Sequence, residues 1–190
     1  MAELRRIDLD DAGLRLRRTT EEDAPGVLSV HGDPRVYVYD PLEVQADLDD
    51  ARRFLAPMLR HWADHGFGYW TVLVPSAWWP AGVPDPEDGD GQRVHAGLGG
   101  IQHYLMAGEP VLNVYYRLAP DVHGRRIAGS LVATAMTLAP VVAPGLDLVV
   151  RTRPANAAAR RVAERAGFVD LGVEPGTTDM QLLRWSPAVH

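Results

Sequence analysis

Two strand-like runs standing close together constrain this chain most: VHAGLGGIQHY at 94–104 and VLNVYYRLAP at 111–120, joined through MAGEP. Both are rich in β-branched and aromatic residues, and a short glycine-containing connection between such runs predicts an antiparallel hairpin. The chain then passes through HGRRIAGS at 123–130 into an apolar run, IAGSLVATAMTLAPVVA, that reads as a helix ended by Pro140 and Pro144.

The flanking sequence extends this pattern. LRLRR at 14–18 alternates as a strand, and Thr19 or Thr20 stands three residues before Glu22 or Asp23, which predicts a capped helix running to about His31. Asp33-Pro34 marks a turn. A second helix is predicted from Val44 to Asp64, with Leu48, Phe54, Leu55, Met58, Leu59 and Trp62 at helical spacing and a kink at Pro57. YWTVLV at 69–74 is a strand, and PSAWWPAGVPDPEDGDGQ is a surface loop onto which Trp78 and Trp79 are expected to pin the chain. LDLVVRTRP reads as a buried strand, NAAARRVAERAG as a helix closed by Gly167, and FVDLGV and MQLLRW as two last strands. The order β-α-α-β-β-β-α-β-α-β-β implies an α+β, mixed-sheet fold, and a length of 190 residues fits one domain over 1–190.

Composition removes several classes of function. Apolar residues at 46% and charged residues at 23% suit a soluble globular protein. No apolar run approaches the roughly 18 residues of a membrane span, and MAELRRIDLDD is too acidic for a secretory signal, so no membrane partner and a cytoplasmic location are expected. Without cysteine there are no disulfides, thiolate metal sites or Cys nucleophile. His61 and His65 have the i, i+4 spacing of a metal clamp but lack the adjacent Glu, so a solvated helix face and no metal are expected. A net charge of −6 argues against nucleic acid and leans toward cationic ligands.

HGRRIAGS resembles a phosphate-binding P-loop, except that Ser130 stands where the loop needs lysine. All 19 basic residues are arginine, so the chemistry of a nucleotide triphosphatase is missing. The junction can still bind an anion, because the first amides of a helix are unpaired and the macrodipole is positive there. Gly124 permits close backbone approach, while Arg125 and Arg126 add charge, which outlines a diphosphate cradle. A plain strand-to-helix connection with a solvated Arg pair is the alternative reading.

Taken with its surroundings, this loop resembles that of the GNAT superfamily of acyl-CoA-dependent N-acyltransferases, particularly the branch of the ribosomal-protein N-terminal acetyltransferases. The family's Q/R-x-x-G-x-G/A motif falls on His123-Gly124-Arg125-Arg126-Ile127-Ala128. His123 replaces Gln or Arg, Arg126 replaces the central Gly, and Ala128 agrees. DPRV at 33–36, HGFGYW at 65–70, YYRLAPDVHG at 115–124 and NAAARRVAERAGF at 156–168 are similar to further segments of the family. The resemblance covers about residues 13–186. It implies a mostly antiparallel sheet of about seven strands with four helices, splayed between the strands near 111–119 and 146–152. It further implies that the backbone of Tyr116 and Leu118 binds pantetheine. His123 and the amides of Gly124, Arg125, Arg126, Ile127, Ala128, Gly129 and Ser130 would hold the pyrophosphate of acetyl-CoA. Asn156 would cap a helix and reach the pantetheine arm.

Acyl transfer from a thioester needs a deprotonated amine, a polarised carbonyl and a proton for the leaving thiolate. An α-amine with a pKa of about 8 asks less of a base than a lysine amine at about 10.4. On the resemblance, the Leu118 N–H would polarise the carbonyl. The family's tyrosine, serine and glutamate acid–base positions fall on Ala163, Ala159 and Leu98, so none is present. His103, Asn113, Tyr115 and Tyr116 remain near the splay. His103 has a base's intrinsic pKa but also reads as an exposed strand residue, and Tyr116 reads as core or catalytic. Glycines 97, 99 and 100 either open space for substrate or mark a bulge. The expected catalytic set is His103, Tyr116 and Leu118. The expected activity is N-acetyl transfer from acetyl-CoA to a primary amine by direct attack in a ternary complex, with a non-catalytic acyl-CoA-binding protein as the alternative. The acceptor, a small molecule or a protein N-terminus, would be held by the first two helices and the tryptophan loop, and a homodimer is compatible with the scaffold.

Overall fold

The computed structural model describes residues 6–9, 13–79 and 92–187. Most of the proline- and glycine-rich loop expected after the third strand, residues 80–91, lies outside them. The chain divides into two compact units, Met1–Gly99 with Tyr116–Ile127, and Gly100–Tyr115 with Ala128–His190.

In the first unit the strands run in the order β1 (Arg6–Leu9), β2 (Leu14–Arg18), β3 (Tyr69–Pro75), β4 (Arg93–Met106) and β5 (Glu109–Leu118), the last two continuing into the second unit. β1 pairs antiparallel with β2, and β2 with β3, with Leu16 opposite Val72. β1 adds an eighth strand to the seven expected; its four residues are too short a run for alternation to identify. α1 (Ala24–His31) follows a 3-10 turn at Glu21–Asp23, where Thr20 and Asp23 form the reciprocal capping box expected. Asp23 is buried and its carboxylate is fully occupied. It accepts from Arg17 at 2.9 and 2.7 Å, from the Thr20 N–H at 2.8 Å and from the Thr71 hydroxyl at 2.8 Å.

α2 spans Leu48–His65, starting four residues later than the expected Val44. The cause is local: Pro41–Glu43 forms a 3-10 turn, and the Asp47 carboxylate takes the Asp49 and Asp50 amides, fixing the helix start there. Gly66, at φ 74°, ends it in the left-handed conformation. The apolar stripe of α2 buries Ala51, Leu55, Met58 and Trp62, and the Trp62 indole donates to the Tyr69 carbonyl at 2.7 Å. Gly68 makes room for that ring, since a Cβ there would lie 2.7 Å from the indole nitrogen.

In the second unit the order is β4, β5, β6 (Leu148–Thr152), β8 (Gln181–Trp185) and β7 (Val169–Val173), with α3 (Ile127–Val142) and α4 (Ala157–Arg165). β6–β8 and β7–β8 are antiparallel, and β5–β6 is parallel. Together these make the mixed, mostly antiparallel sheet and four helices expected. β5 pairs β6 from Leu112 opposite Leu148 to Val114 opposite Val150. Met106, Val111, Val149 and Leu182 form a core cluster with Tyr104 against it. The buried Glu174 carboxylate accepts from the Arg151 guanidinium at 2.8 and 2.7 Å. Among the described residues no helix is long and apolar enough to cross a membrane.

Candidate active site

The expected acyl-CoA residues of the first unit follow one another along the chain from the end of β5. Here β4 and β5 come unusually close. Gly97 sits at φ 139°, and a Cβ added to it would lie 2.1 Å from the Arg117 carbonyl oxygen and 2.9 Å from the Leu118 Cα. Beside it the Ala119 N–H donates to the Ala96 carbonyl at 2.8 Å. Gly97 therefore serves close backbone approach, which holds the main chain at Arg117 and Leu118.

Tyr116 is half-buried, and its hydroxyl is buried without a hydrogen-bond partner among the described residues. Burial pushes this phenol up to about 12, so it stays protonated at neutral pH and is a donor rather than a base. Leu118 is buried.

The loop itself turns through a 3-10 segment at Pro120–Val122 and then two left-handed residues, Gly124 at φ 82° and Arg126 at φ 62°, before α3 begins at Ile127. Arg126 thus adopts a left-handed conformation that favours glycine, the residue that the resembled motif has at its place. His123, Gly124, Arg125 and Arg126 are all exposed, and nothing lies within 4 Å of where a Cβ on Gly124 would stand. Arg125 lies over the Trp78 ring at 4.8 Å and reaches the Trp78 carbonyl at 3.4 Å. Trp78 also covers Gly13, whose added Cβ would stand 2.9 Å from its ring, so Trp78 does pin its segment to the body.

A second group of residues in this unit was not foreseen. The Arg117 guanidinium lies 3.9 Å from the centre of the Tyr37 ring and donates to the Val36 carbonyl at 2.9 Å. Arg35 bridges Asp33 and Asp121, at 2.9 Å to the latter. These contacts fasten the segment between α1 and α2 to β5 and the turn after it. Below Tyr37 lies His31, fully buried, with Nδ1 2.7 Å from the Tyr37 hydroxyl and its ring 4.5 Å from that of Phe54. Burial, reinforced by the positive charge of Arg117 and His95, lowers the His31 pKa to about 3, so the ring is neutral. DPRV, followed directly by Tyr37, was the only sequence signal of this group, because its partners lie some 80 residues away in the chain.

The remaining expected acyl-CoA and catalytic residues lie in the second unit. His103 is exposed on β4, and Asn113 and Tyr115 are half-buried on β5. Ala128 and Ser130 are half-buried and Gly129 exposed in the first turn of α3, with space beside Gly129 where a Cβ would stand. The Asn156 side chain accepts from the Ala159 N–H at 3.1 Å, which is the capping role expected of it. Ala163 and Leu98, which replace the family's tyrosine and glutamate, are fully buried. At the metal candidate, the His61 and His65 rings lie 4.5 Å apart, with His61 Nδ1 2.8 Å from the Phe67 carbonyl.

No curated protein matches the sequence. The fold is that of solved acetyltransferases. One from Agrobacterium tumefaciens str. C58 is 22% identical with a TM-score of 0.66, covering 90% of this chain and 90% of that one. The RimL ribosomal L7/L12 alpha-N-protein acetyltransferase in complex with coenzyme A is 15% identical with a TM-score of 0.65, covering 92% and 94%. Spermidine N-acetyltransferase from Vibrio cholerae in complex with CoA and spermine is 16% identical with a TM-score of 0.62, covering 92% and 96%. The sequence model described as "Acetyltransferase (GNAT) domain" matches residues 13–169, and the chain therefore belongs to the GNAT acetyltransferases, which are acetyl-CoA-dependent acyltransferases.

Proposed function

We propose that residues 1–190 act as a single N-acetyltransferase domain that moves the acetyl group of acetyl-CoA to a primary amine by direct attack in a ternary complex. The observation that carries this reading is the loop before α3, where Gly124 and Arg126 both take left-handed conformations and leave an exposed turn beside two guanidinium groups. Such a turn at a helix start suits a diphosphate. In this reading His123 to Ser130 hold the pyrophosphate, the backbone of Tyr116 and Leu118 takes the pantetheine arm, and Asn156 assists there.

The amine nitrogen attacks the thioester carbonyl carbon, the C–S bond breaks, and the coenzyme leaves as a thiolate. The Leu118 N–H is assigned to the carbonyl oxygen, where negative charge develops. Tyr116 is assigned the proton given to the leaving thiolate, which its protonated, unpartnered hydroxyl suits. His103 is assigned to the acceptor's proton, directly or through water. The reaction uses no metal in this account, and the site is that of a cytoplasmic enzyme.

The experiment is calorimetric titration with acetyl-CoA, desulfo-CoA and ATP, followed by thiol release in the presence of an amine panel. Saturable binding of both CoA compounds with much weaker ATP, and turnover that falls in Arg126→Glu, is the expected result. Unchanged CoA affinity in Arg126→Glu would remove the loop from the diphosphate. Full activity of His103→Ala from about pH 6 to 9 would remove His103 as the base.

A further inference from the structure

We propose that Trp78 is a positioning residue for the coenzyme: it holds the Arg125 guanidinium in place beside the turn before α3, so that the diphosphate meets a charge already oriented. This role presupposes the reading of residues 123–130 as the diphosphate cradle, and every residue it uses lies in the first unit.

Arg125 stands in the exposed turn between two left-handed residues, Gly124 and Arg126. An exposed arginine samples many rotamers, and fixing one of them when an anion arrives opposes binding. Two contacts restrict Arg125 beforehand. Its guanidinium carbon lies 4.8 Å from the centre of the Trp78 ring, and Nη2 donates to the Trp78 carbonyl at 3.4 Å. Ring and carbonyl belong to one residue, so the guanidinium is held by its face and by one corner. Stacking occupies that face and leaves in-plane N–H groups for phosphate oxygens.

The chemistry of the hold decides what the charge can still do. Arg17 is fixed by Asp23, and Arg35 by Asp33 and Asp121, so a carboxylate cancels the charge that it anchors. Among the described residues no carboxylate pairs with Arg125. An indole attracts a cation through its quadrupole and adds no opposite charge. Arg125 is therefore anchored and still able to attract an anion.

Trp78 serves as the anchor because it is itself fastened. It ends the 3-10 turn Ser76–Trp78, whose first residue donates to the Gln92 carbonyl at 3.0 Å through both its N–H and its hydroxyl. The indole packs on Gly13, where a Cβ would stand 2.9 Å from Cζ2 and 3.0 Å from Cη2, and the Gly13 carbonyl accepts from Arg93 at 3.0 Å. A side chain at position 13 would displace the ring.

The test is a double-mutant cycle on the full chain, read by calorimetric titration with acetyl-CoA. It uses Trp78→Leu, Arg125→Gln and the double variant, with Trp78→Phe as the conservative replacement. Arg125→Gln should weaken binding about tenfold, as expected for a charged hydrogen bond, and Trp78→Leu about fivefold. On the Arg125→Gln background Trp78→Leu should add nothing, because its effect passes through the guanidinium. Trp78→Phe keeps an aromatic face and should retain most of the parent affinity. Parent-like affinity in Trp78→Leu, or an equal loss with and without Arg125, would overturn the proposal, the second outcome making Trp78 a support of its own loop only. Should Trp78→Leu fail to fold, Arg125→Lys decides: the charge stays but the planar stack goes, so binding about threefold weaker is expected and unchanged affinity overturns the proposal. The cradle reading fails by a different result. Arg125→Gln then binds acetyl-CoA as the parent does, which ends both readings, whereas a loss in Arg125→Gln with none in Trp78→Leu keeps Arg125 in the cradle and ends the role of Trp78.

Discussion

Gly97 faces the carbonyl of Arg117 so closely that a β-carbon at position 97 would stand 2.1 Å from that oxygen. No flexible side chain can give way there, since the obstacle is β5 backbone. Its φ of 139° is also one that side chains rarely adopt. Gly97→Ala should therefore cost about 3 kcal/mol or more of stability, read in urea unfolding. If the folded variant is recovered, its acetyl-CoA affinity should fall because Leu118 has moved. A loss below about 1 kcal/mol would mean that the two strands separate easily.

Arg126 holds a left-handed conformation that costs a residue with a side chain about 1–2 kcal/mol. Arg126→Gly should raise stability by up to about 1 kcal/mol and restore the residue found in the GNAT motif. The same change removes a guanidinium. We expect thermal stability to rise while acetyl-CoA affinity falls modestly and becomes less sensitive to salt. A variant that gains stability with no change in salt dependence would place the Arg126 charge away from the coenzyme.

Folding lowers the His31 pKa from 6.5 to about 3. As the pH falls through this window the unfolded chain takes up a proton that the folded chain refuses. Stability is thus complete above about 6.5 and declines at up to about 1.4 kcal/mol per pH unit toward 3. At the acid end Asp23 adds to the loss. Burial raises its pKa, but Arg17 and the Thr20 amide outweigh burial and the net shift is down from 3.8, so its contribution disappears as the pH falls through the folded value. His31→Gln should flatten the decline between pH 6.5 and 4 (about the window between the two His31 values) in urea melts. Parallel slopes for parent and variant would show that His31 is protonated in the fold.

Arg17→Ala leaves the buried Asp23 carboxylate with the Thr20 amide and the Thr20 and Thr71 hydroxyls. The Arg17 side chain is 29% exposed and Asp23 2%, so removing the cation strands a charge away from water. A loss of about 3 kcal/mol is expected, largely recovered by adding Asp23→Asn. Single and double variants of equal stability would show that Asp23 is neutral in the parent.

The fold was legible wherever the reasons for structure are local. The Thr20–Asp23 cap and the Asn156 cap each depend on residues within a few positions, and each was visible. The start of α2 was misplaced because Val44 continues the apolar spacing, yet Asp47 captures the first amides. β1 pairs through four residues and has too little pattern to be seen alone. The loop at 123–126 was legible as a motif, and the left-handed Arg126 explains how an arginine can occupy a glycine's place. Tyr37, His31 and Arg117 were invisible as a group. Periodicity says nothing of a tyrosine stacked on an arginine far along the chain.

The ion pairs that hold this molecule, Arg17 with Asp23, Arg35 with Asp121 and Arg151 with Glu174, all rest on guanidinium groups. A chain without lysine offers an acyl donor no side-chain amine. Incubated with radiolabelled acetyl-CoA, such a protein is nearly silent toward its own substrate. Its internal pairs are untouched by stray acylation, and radioactivity on the polypeptide can reside stably only at the chain's single α-amino group. Label recovered elsewhere in the mixture therefore reports the acceptor directly, with little background from the catalyst.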